Sequence, residues 1–394
     1  MKIAVDASCW SNQRGYGRYI RGLVPALIAA DQHNAYVLVT DRQTSAEIPA
    51  DLAPLVIAET REAPTAAARA GSNRSPADVW KLSATASAAK ADVIFFPSVY
   101  TYFPVRTGPK VIVTIHDVIA EDFPDLVFPS RRERFLWNAK VALARWQSDH
   151  IVTVSEHARR AIARKFGVDP KKITVVSEAA DPAFRPLGPS EINAAAFPAM
   201  GIAERDRILL YLGGLNPHKN LPGLVQAVAA SREGNPSLHD LKLVICGDIE
   251  TEHFTPGLAR LRETIRTCGL QQEVVFTGFL DDENVCQLMN RATALALPSF
   301  AEGFGLPAVE AAACGTPVIA TINSPLPELL EGGGIFIDPT DVASMTAAIT
   351  RIFSDGHARQ SLARAARERA ARLTWPHAAE SMVEVLRKLE AGRS

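Results

Sequence analysis

The sequence is poor in cysteine and has no excess of charge of either sign. Its 394 residues include five cysteines, odd in number and far apart along the chain, so they predict neither a disulfide framework nor a closely spaced zinc site. We therefore expect reduced, mostly buried thiols. Lysine and arginine total 42 against 43 acidic residues. No overall charge therefore attracts the chain to nucleic acid or to an anionic membrane, and no nucleic-acid partner is predicted.

Long apolar runs are also absent. No stretch of the sequence reaches the roughly 18–20 apolar residues that a membrane-spanning helix needs. The first six residues, Met-Lys-Ile-Ala-Val-Asp, already have the pattern of a strand and carry no signal-peptide pattern. These absences predict a cytoplasmic protein. With 47% hydrophobic and 22% charged residues, the composition is typical of a globular protein with enough apolar material for two cores.

Strand-like and helical patterns alternate along most of the chain, which predicts a doubly wound α/β fold. Several strand-like segments are nearly continuous in Val, Ile, Leu and Ala, as strands buried on both faces of a parallel sheet are. We predict strands at residues 2–6, 35–40, 93–97, 111–116, 151–155, 208–213, 241–247, 273–277, 294–298 and 316–321, and helices at residues 17–30, 131–147, 156–166, 221–231, 256–268 and 378–389.

The alternation is interrupted near the middle of the chain, where residues 181–190 carry three prolines and a glycine. This linker predicts two Rossmann-like domains, at residues 1–187 and 188–376, followed by a terminal helix at residues 377–394. Residues 63–87, rich in Ala, Arg and Ser, are predicted to form a mobile surface insertion. Two such domains facing across a cleft would bind ligands at the carboxyl ends of their sheets.

The strongest local motif runs from Ser299 to Glu310, Ser-Phe-Ala-Glu-Gly-Phe-Gly-Leu-Pro-Ala-Val-Glu. It follows a predicted strand and leads into a helix, with Pro307 suited to the first helical position. Backbone N–H groups at the start of that helix would favour an anion, because a helix N-terminus carries partial positive charge. The residues that would contribute them are Gly303, Phe304, Gly305 and Leu306.

Two carboxylates flank this loop. Glu302 lies in it and Glu310 is predicted in the first helical turn, so both can face one ligand. A carboxylate accepts two hydroxyl hydrogen bonds at once, which fits a sugar or a ribose diol. The alternative is that Glu310 only complements the helix dipole and that Glu302 is solvated.

A second loop, Leu212-Gly-Gly-Leu-Asn-Pro-His-Lys-Asn, also follows an apolar strand. Lys219 at this strand-to-helix turn could pair with a diphosphate as a compact point charge. Asn220 could cap the following helix. Taken alone, the loop is equally consistent with a helix cap and a solvated lysine.

Two motifs lie in the N-terminal half. His116 and Asp117 end the buried strand Val-Ile-Val-Thr-Ile and would emerge at the carboxyl edge of its sheet, although a histidine there is often structural. The turn after the first strand, Asn-Gln-Arg-Gly-Tyr-Gly-Arg-Tyr, contains Gly15, Gly17 and Arg18. It lacks the dinucleotide-binding fingerprint, which disfavours a nicotinamide dehydrogenase. The alternative is that this segment is an ordinary strand-to-helix turn.

In this order and strand context, the motifs resemble retaining glycosyltransferase family 4, whose GT-B fold consists of two Rossmann-like domains facing across a cleft. The most specific likeness is the E-x7-E arrangement of Glu302 and Glu310 with Gly-Phe-Gly-Leu-Pro between the acids. The resemblance spans nearly the whole chain. It implies a retaining hexosyltransferase that uses a nucleotide diphosphate sugar without a metal or other cofactor. The sequence also lacks the Asp-x-Asp pair that holds a metal-bound diphosphate in the other large glycosyltransferase fold.

The resemblance implies a role for each residue of the C-terminal half. Glu302 would contact the transferred sugar, Glu310 the ribose and Lys219 the diphosphate, with Asn220 and the loop residues Gly303 to Leu306 completing the donor site. The loop around Leu280, Gly-Phe-Leu-Asp-Asp, would lie near the nucleobase, although its acids suit a helix start equally well. Gly214 stands where the family often has arginine. The contact with phosphate that such an arginine would make would then have to come from His218 or from an N-domain arginine.

Roles are also implied for the N-terminal, acceptor-side half. His116 would point at the donor sugar, and Asp117 would orient the histidine or contact the acceptor. Gly15, Gly17 and Arg18 would approach the donor diphosphate and the acceptor. The pattern of this turn is similar to mannosyl- and rhamnosyl-type enzymes of bacterial surface-polysaccharide assembly. That similarity implies GDP-mannose as the donor and a saccharide or lipid-linked acceptor.

The predicted helix at residues 131–147 is basic and amphipathic. Such a helix would fit a peripheral contact with the inner membrane, and the alternative is a solvated face over a packed stripe. Two further functions stay open. One is a nucleotide-sugar-binding protein without transferase activity, suggested by Gly214. The other is a different GT-B enzyme, such as a phosphorylase.

Overall fold

The computed structural model describes residues 1–13, 15–61, 75–106, 108–247 and 255–392. The chain divides into two compact units, one formed by Met1–Glu178 with Thr374–Ser394 and the other by Ala179–Leu373. The first boundary thus lies nine residues before the predicted one. The reason is that the predicted linker packs on the second unit: the backbone N–H of Leu187 donates to Asn290 Oδ1 at 2.8 Å, and Asn290 Nδ2 donates to the Arg185 carbonyl at 3.0 Å.

The first unit contains a parallel sheet of seven strands in the order β3-β2-β1-β4-β5-β6-β7. The strands are β1 (Lys2–Asp6), β2 (Ala35–Asp41), β3 (Leu55–Ala58), β4 (Val93–Phe96), β5 (Lys110–Thr114), β6 (His150–Thr153) and β7 (Ile173–Val175). Its helices are α1 (Gly15–Ala30), α2 (Arg42–Ser45), α3 (Pro76–Ala88), α4 (Ile119–Asp122), α5 (Pro124–Val127), α6 (Arg131–Gln147) and α7 (Glu156–Phe166), together with the terminal helix described below.

The second unit contains a parallel sheet of six strands in the order β10-β9-β8-β11-β12-β13. The strands are β8 (Arg207–Leu212), β9 (Leu241–Cys246), β10 (Val274–Gly278), β11 (Ala294–Leu297), β12 (Val318–Thr321) and β13 (Gly334–Ile337). Its helices are α8 (Ala196–Ala199), α9 (Leu221–Gly234), α10 (Thr255–Thr267), α11 (Asp282–Arg291), α12 (Leu306–Ala313), α13 (Leu326–Leu329), α14 (Val342–Ser354) and α15 (Gly356–Ala370). Both units are Rossmann-like, so the predicted fold class is confirmed.

All ten predicted strands are present, with ends that move by at most two residues. Their near-continuous burial explains the success: β1, β4 and β11 have almost no exposed position. Three strands escaped prediction, β3, β7 and β13. Each lies at an edge of its sheet, has three or four residues and is only partly buried, so its apolar pattern is too short to stand out.

The prediction of a mobile insertion at residues 63–87 is wrong in its second half. Helix α3 begins there, with Ser75 as its N-cap accepting a hydrogen bond from the Asp78 backbone N–H. Leu82 and Ala86 on this helix are buried in the core of the first unit, and the Asp78 carboxylate accepts from the backbone N–H of Arg61 at 3.0 Å. Alanine favours a helix here once one face is buried. Residues 62–74 lie outside the described part of the chain.

The terminal helix, α16 (Trp375–Ala391), packs against α1 within the first unit. It begins two residues before the predicted 377 because Thr374 caps it by accepting from the His377 backbone N–H. Trp375 lies directly over Gly22, where a Cβ would come within 2.1 Å of the indole Cε2. The indole also packs against Tyr19, at 6.1 Å between ring centroids. Glycine at position 22 therefore makes room for the tryptophan.

In the described part of the chain, no helix has both the length and the apolar character needed to cross a membrane.

Candidate active site

The two loops that carry the strongest sequence motifs follow adjacent strands of the second sheet. β8 pairs with β11, and the strand order changes direction between them, since β9 and β10 lie on one side and β12 and β13 on the other. Ligands of doubly wound sheets bind at the carboxyl ends of the strands at this switch point. The loops of Lys219 and Glu302 are therefore held side by side at the expected position in the second unit.

Lys219 and Glu302 form an ion pair in this position. The distance from Lys219 Nζ to Glu302 Oε1 is 2.7 Å, and the two side chains are 19% and 10% exposed. Ser299 Oγ donates to the same carboxylate oxygen at 2.5 Å. A partly shielded, hydrogen-bonded pair of this kind is more strongly coupled than a surface salt bridge. The structure thus brings together the two residues predicted to contact the diphosphate and the sugar.

Backbone hydrogen bonds fix the Glu302 loop to the Lys219 loop and to the loop after β12. The Phe300 N–H donates to the His218 carbonyl at 2.9 Å, and the Glu302 N–H donates to the Asn323 carbonyl at 3.1 Å. Gly305 has a φ of +87°, and a Cβ there would lie 2.7 Å from Leu326 Cδ1. Only glycine fits both the left-handed backbone and the contact with Leu326. This residue is the N-cap of α12.

The helix consequently starts at Leu306, and two expectations shift. Pro307 is the second helical residue, and Glu310 lies at the start of the second turn rather than in the first. Glu310 is only 1% exposed, whereas Glu302 retains some access to solvent. The predicted contact of Glu310 with a ribose stays a prediction. Gly303, Phe304 and Gly305 precede the helix as expected, with Phe304 and Leu306 both buried.

The loop after β8 differs from prediction at Asn220. This residue is in the left-handed conformation, with a φ of 53°, and its side chain does not cap α9. Instead Nδ2 donates to the Pro339 carbonyl at 2.6 Å. Asn220 is the N-cap residue of α9 by position, but the prediction that its side chain caps the helix was wrong, because the amide makes no cap hydrogen bond. Gly214 accepts a hydrogen bond from the Tyr211 hydroxyl through its carbonyl at 2.5 Å.

His218 was a candidate to replace the missing arginine cation at position 214. Burial, followed by the neighbouring charge of Lys219, lowers the pKa of His218 to about 3. Its Nδ1 is shielded from solvent and has no hydrogen-bond partner among the described residues. The ring is therefore neutral at pH 7 and supplies no cation to a phosphate.

The loop after β10 contains Leu280, which is partly buried and precedes the N-cap of α11. Asp281 accepts from the Asn284 backbone N–H at 2.8 Å. The acid at this position therefore begins a helix, which was one of the two readings of the motif. The contact of Leu280 with the nucleobase stays a prediction.

In the first unit, His116 follows β5 and is held at both ring nitrogens. Nε2 lies 3.0 Å from the Pro97 carbonyl oxygen, and Nδ1 lies 3.2 Å from Glu178 Oε1. Asp117 Oδ1 accepts from the backbone N–H of Ile119 at 2.9 Å. Glu178 was missed in the sequence because it follows the short strand β7, which was itself not predicted.

The turn after β1 is built around Gly17. A Cβ on Gly17 would lie 1.8 Å from the carbonyl oxygen of Asn12, so glycine is required where the helix backbone approaches the turn. Gly15 starts α1 and has nothing near its Cβ position, so it is not required sterically. Arg18 lies in the first turn of α1.

Within the described residues there is no cluster of three or more His, Cys, Asp or Glu side chains that could hold a metal ion.

Comparison with known proteins matches the two halves of the chain separately. Residues 14–184 match the model described as Glycosyltransferase Family 4. Residues 193–369 match the model described as Glycosyl transferases group 1.

Individual relatives are similar over part of their length. A D-inositol 3-phosphate glycosyltransferase of Salinispora arenicola is 29% identical over 248 residues, which cover 61% of this chain and 54% of that protein. A glycogen synthase of Mycobacterium tuberculosis is 34% identical over 225 residues, which cover 57% of this chain and 50% of that protein. The chain thus spans about half the length of these curated relatives.

Among solved structures, HepE of Anabaena in complex with UDP-glucose has a TM-score of 0.75 at 20% identity, with 98% of this chain and 100% of that chain covered. At this identity the likeness establishes the fold. The paired sequence matches, the switch-point loops and this fold support one class of protein, a glycosyltransferase of GT-B fold.

Proposed function

We propose that the chain is a retaining hexosyltransferase that moves a sugar from a nucleoside diphosphate sugar to a saccharide or lipid-linked acceptor, without a metal or other cofactor. The observation that carries the proposal is the Lys219–Glu302 ion pair at the switch point of the second sheet, beside the N-terminus of α12. This arrangement combines a cation and backbone donors, which suit a diphosphate, with a carboxylate, which suits sugar hydroxyls.

The proposed chemistry breaks the bond between the anomeric carbon and the diphosphate oxygen. A new bond forms from that carbon to an acceptor hydroxyl oxygen, the hydroxyl loses its proton, and the nucleoside diphosphate leaves. Lys219 stabilises the negative charge that develops on the leaving diphosphate. Glu302 is already oriented by Ser299 and Lys219, and it holds the hydroxyls of the transferred sugar in place.

The donor we propose is GDP-mannose. The support is the similarity of the turn from Gly15 to Tyr19 to mannosyl- and rhamnosyl-type enzymes of polysaccharide assembly. HepE, which shares the fold, was crystallised with UDP-glucose, so UDP-glucose is the competing donor in any panel.

A donor panel tests the proposal directly. We expect GDP and GDP-mannose to raise the melting temperature more than UDP, UDP-glucose or mannose 1-phosphate, and transfer to a saccharide acceptor to give a product with the anomeric configuration of the donor by proton NMR. A larger shift with UDP compounds would overturn the GDP-mannose assignment. Binding without transfer or donor hydrolysis across an acceptor panel would favour a binding protein. Phosphorolysis of a disaccharide would favour a phosphorylase.

We also propose that α6 makes a peripheral contact with an anionic membrane. Trp137, Val141 and Ala144 form its buried stripe. On the opposite side Phe135 is 70% exposed and Trp146 is 79% exposed, and these two side chains lie within about 20° of each other around the helix. Two exposed aromatic side chains about three turns apart on one helix face suit insertion into the interfacial layer of a membrane. Arg131 and Arg132 are exposed at the N-terminal end of the same face, which fits a negatively charged surface.

The double variant Phe135→Ser, Trp146→Ser is expected to bind vesicles of mixed phosphatidylglycerol and phosphatidylcholine at least about 100-fold more weakly than the wild type, because each side chain loses about 1.5–3 kcal/mol of apolar burial. Co-sedimentation measures the binding. Trp80→Ser is the matched control, since Trp80 is 64% exposed on a different helix, α3, and should leave binding unchanged. Wild-type protein that fails to bind vesicles but dimerises through this face in light scattering would refute the membrane assignment.

A further inference from the structure

The ring of His116 lies within hydrogen-bonding distance of an acceptor group at each of its two nitrogens. Nε2 lies 3.0 Å from the Pro97 carbonyl oxygen, which accepts hydrogen bonds and cannot donate one. Nδ1 lies 3.2 Å from the side chain of Glu178, which as a carboxylate is also only an acceptor. Both ring nitrogens thus face acceptor groups, and the imidazolium form satisfies this arrangement by donating from both.

The bonded groups come from three different strand ends of the first sheet. Pro97 follows β4, His116 follows β5 and Glu178 follows β7, so the ring connects the carboxyl ends of strands on both sides of β6. Tyr19 of α1 packs edge-on against the ring, with 4.9 Å between centroids. Both His116 and Glu178 are nearly inaccessible to solvent. The ring is thus fixed in place from three sides.

The electrostatic surroundings of His116 also favour its protonated form. Burial works against a charged ring, but the hydrogen bond and charge of Glu178, the Pro97 carbonyl and the charge of Asp117 outweigh it, so the pKa of His116 is raised above its usual value. Tyr19, the other ionisable group against the ring, has a strongly raised pKa because it is buried. It is therefore neutral and does not compete for the proton.

We propose that Glu178 is a positioning residue that holds His116 as a fixed, protonated ring at the carboxyl edge of the first sheet. His116 then has no nitrogen lone pair with which to accept a proton from an acceptor hydroxyl. It contributes a fixed shape and a charge balanced by Glu178. The consequence for catalysis rests on the proposed transferase function, whereas the protonation state and its dependence on Glu178 do not.

The test is an NMR pH titration of histidine ring signals in the full chain, with His116 assigned by comparison with His116→Asn. We expect the titration midpoint of the wild-type His116 to lie above the ordinary histidine value of about 6.5. In Glu178→Gln the midpoint should fall by about one to three pH units, because a partnering opposite charge is removed. Glu380→Gln is the control, since Glu380 pairs with His377 on the exposed surface of α16, and it should leave His116 unchanged.

Stability gives a second readout with a defined sign. A histidine whose folded-state pKa is raised stabilises the fold fully below its unfolded pKa of roughly 6.5, and this contribution is lost as the pH rises through the folded pKa. The difference in melting temperature between the wild type and Glu178→Gln should therefore be greatest near pH 6 and shrink at higher pH.

Two results would overturn the inference. One is a wild-type His116 that titrates near pH 6.5, which can be observed without any variant. The other is a Glu178→Gln titration identical to that of the wild type. If the titration behaves as expected but no donor is turned over, the transferase proposal fails and the protonated pair stands. If transfer occurs, the alkaline limb of the kcat profile should move to lower pH in Glu178→Gln.

Discussion

Replacing Glu302 with alanine is expected to lower kcat by about 100- to 1000-fold, the usual cost of removing one group that stabilises a transition state. The affinity for the free nucleoside diphosphate should stay within about threefold of the wild type, or become tighter, because Lys219 loses its ion pair with Glu302 and keeps its charge for the phosphates. Steady-state kinetics and calorimetry measure the two effects separately.

A double-mutant cycle tests whether the pair acts as a unit. Lys219→Ala combined with Glu302→Ala should cost much less than the sum of the single changes, since the two side chains touch at 2.7 Å. The matched control is Glu273→Ala, which removes the partner of Arg232 in another part-buried pair of the second unit and should leave kcat unchanged. Additive effects in the cycle would mean that the pair has no joint role.

Glu310→Ala should have the complementary phenotype, a weaker nucleotide affinity by about 10- to 100-fold, corresponding to the roughly 1.5–3 kcal/mol of a hydrogen bond to a charged group. The side chain is 1% exposed, so the melting temperature must be measured alongside to separate lost binding from lost packing. An unchanged calorimetric affinity in a folded variant would remove the ribose assignment.

Gly22→Ala is expected to destabilise the first unit by overpacking the contact between α1 and α16. The added Cβ would lie 2.1 Å from Trp375 Cε2 and 2.4 Å from Cζ2, so the indole or the backbone of α1 must move. Overpacking of this kind costs about 1–3 kcal/mol or more. The melting temperature should fall, and α16 should become more sensitive to limited proteolysis than the rest of the chain.

Gly234→Ala provides the control for this prediction. Gly234 is also in a helix, at the last position of α9, and a Cβ there meets nothing within 4 Å. Alanine should therefore be neutral or stabilise the protein by up to about 1 kcal/mol through its better helix propensity. Equal destabilisation by both substitutions would show that the loss of glycine, rather than the contact with Trp375, is responsible.

Much of the fold was predictable because both sheets are parallel and buried. Strands such as β4 and β11 are apolar on both faces, which produces the unbroken runs recognised in the sequence. The amphipathic helices α6 and α7 were predicted with their observed bounds. The edge strands β3, β7 and β13 were missed for the opposite reason, since partial exposure interrupts their pattern.

The candidate site was predictable only where one segment contains both the loop and its helix. The Glu302 loop satisfies this condition, and its adjacency to Lys219 follows from the pairing of β8 with β11. The partner of His116 was not predictable, because Glu178 is 62 residues away along the chain and follows a missed strand. The amide of Asn220 binds the Pro339 carbonyl, 119 residues away, and local sequence cannot anticipate such a bond.

The packing of α16 on α1 has a consequence for synthesis on the ribosome. The helix that covers Gly22 and Tyr19 is translated only after the whole of Ala179–Leu373. The second unit can therefore fold as a continuous stretch of chain while the first still exposes an apolar surface on α1. A pause or truncation before Thr374 should produce a nascent protein whose second unit is native and whose first unit is a substrate for chaperones.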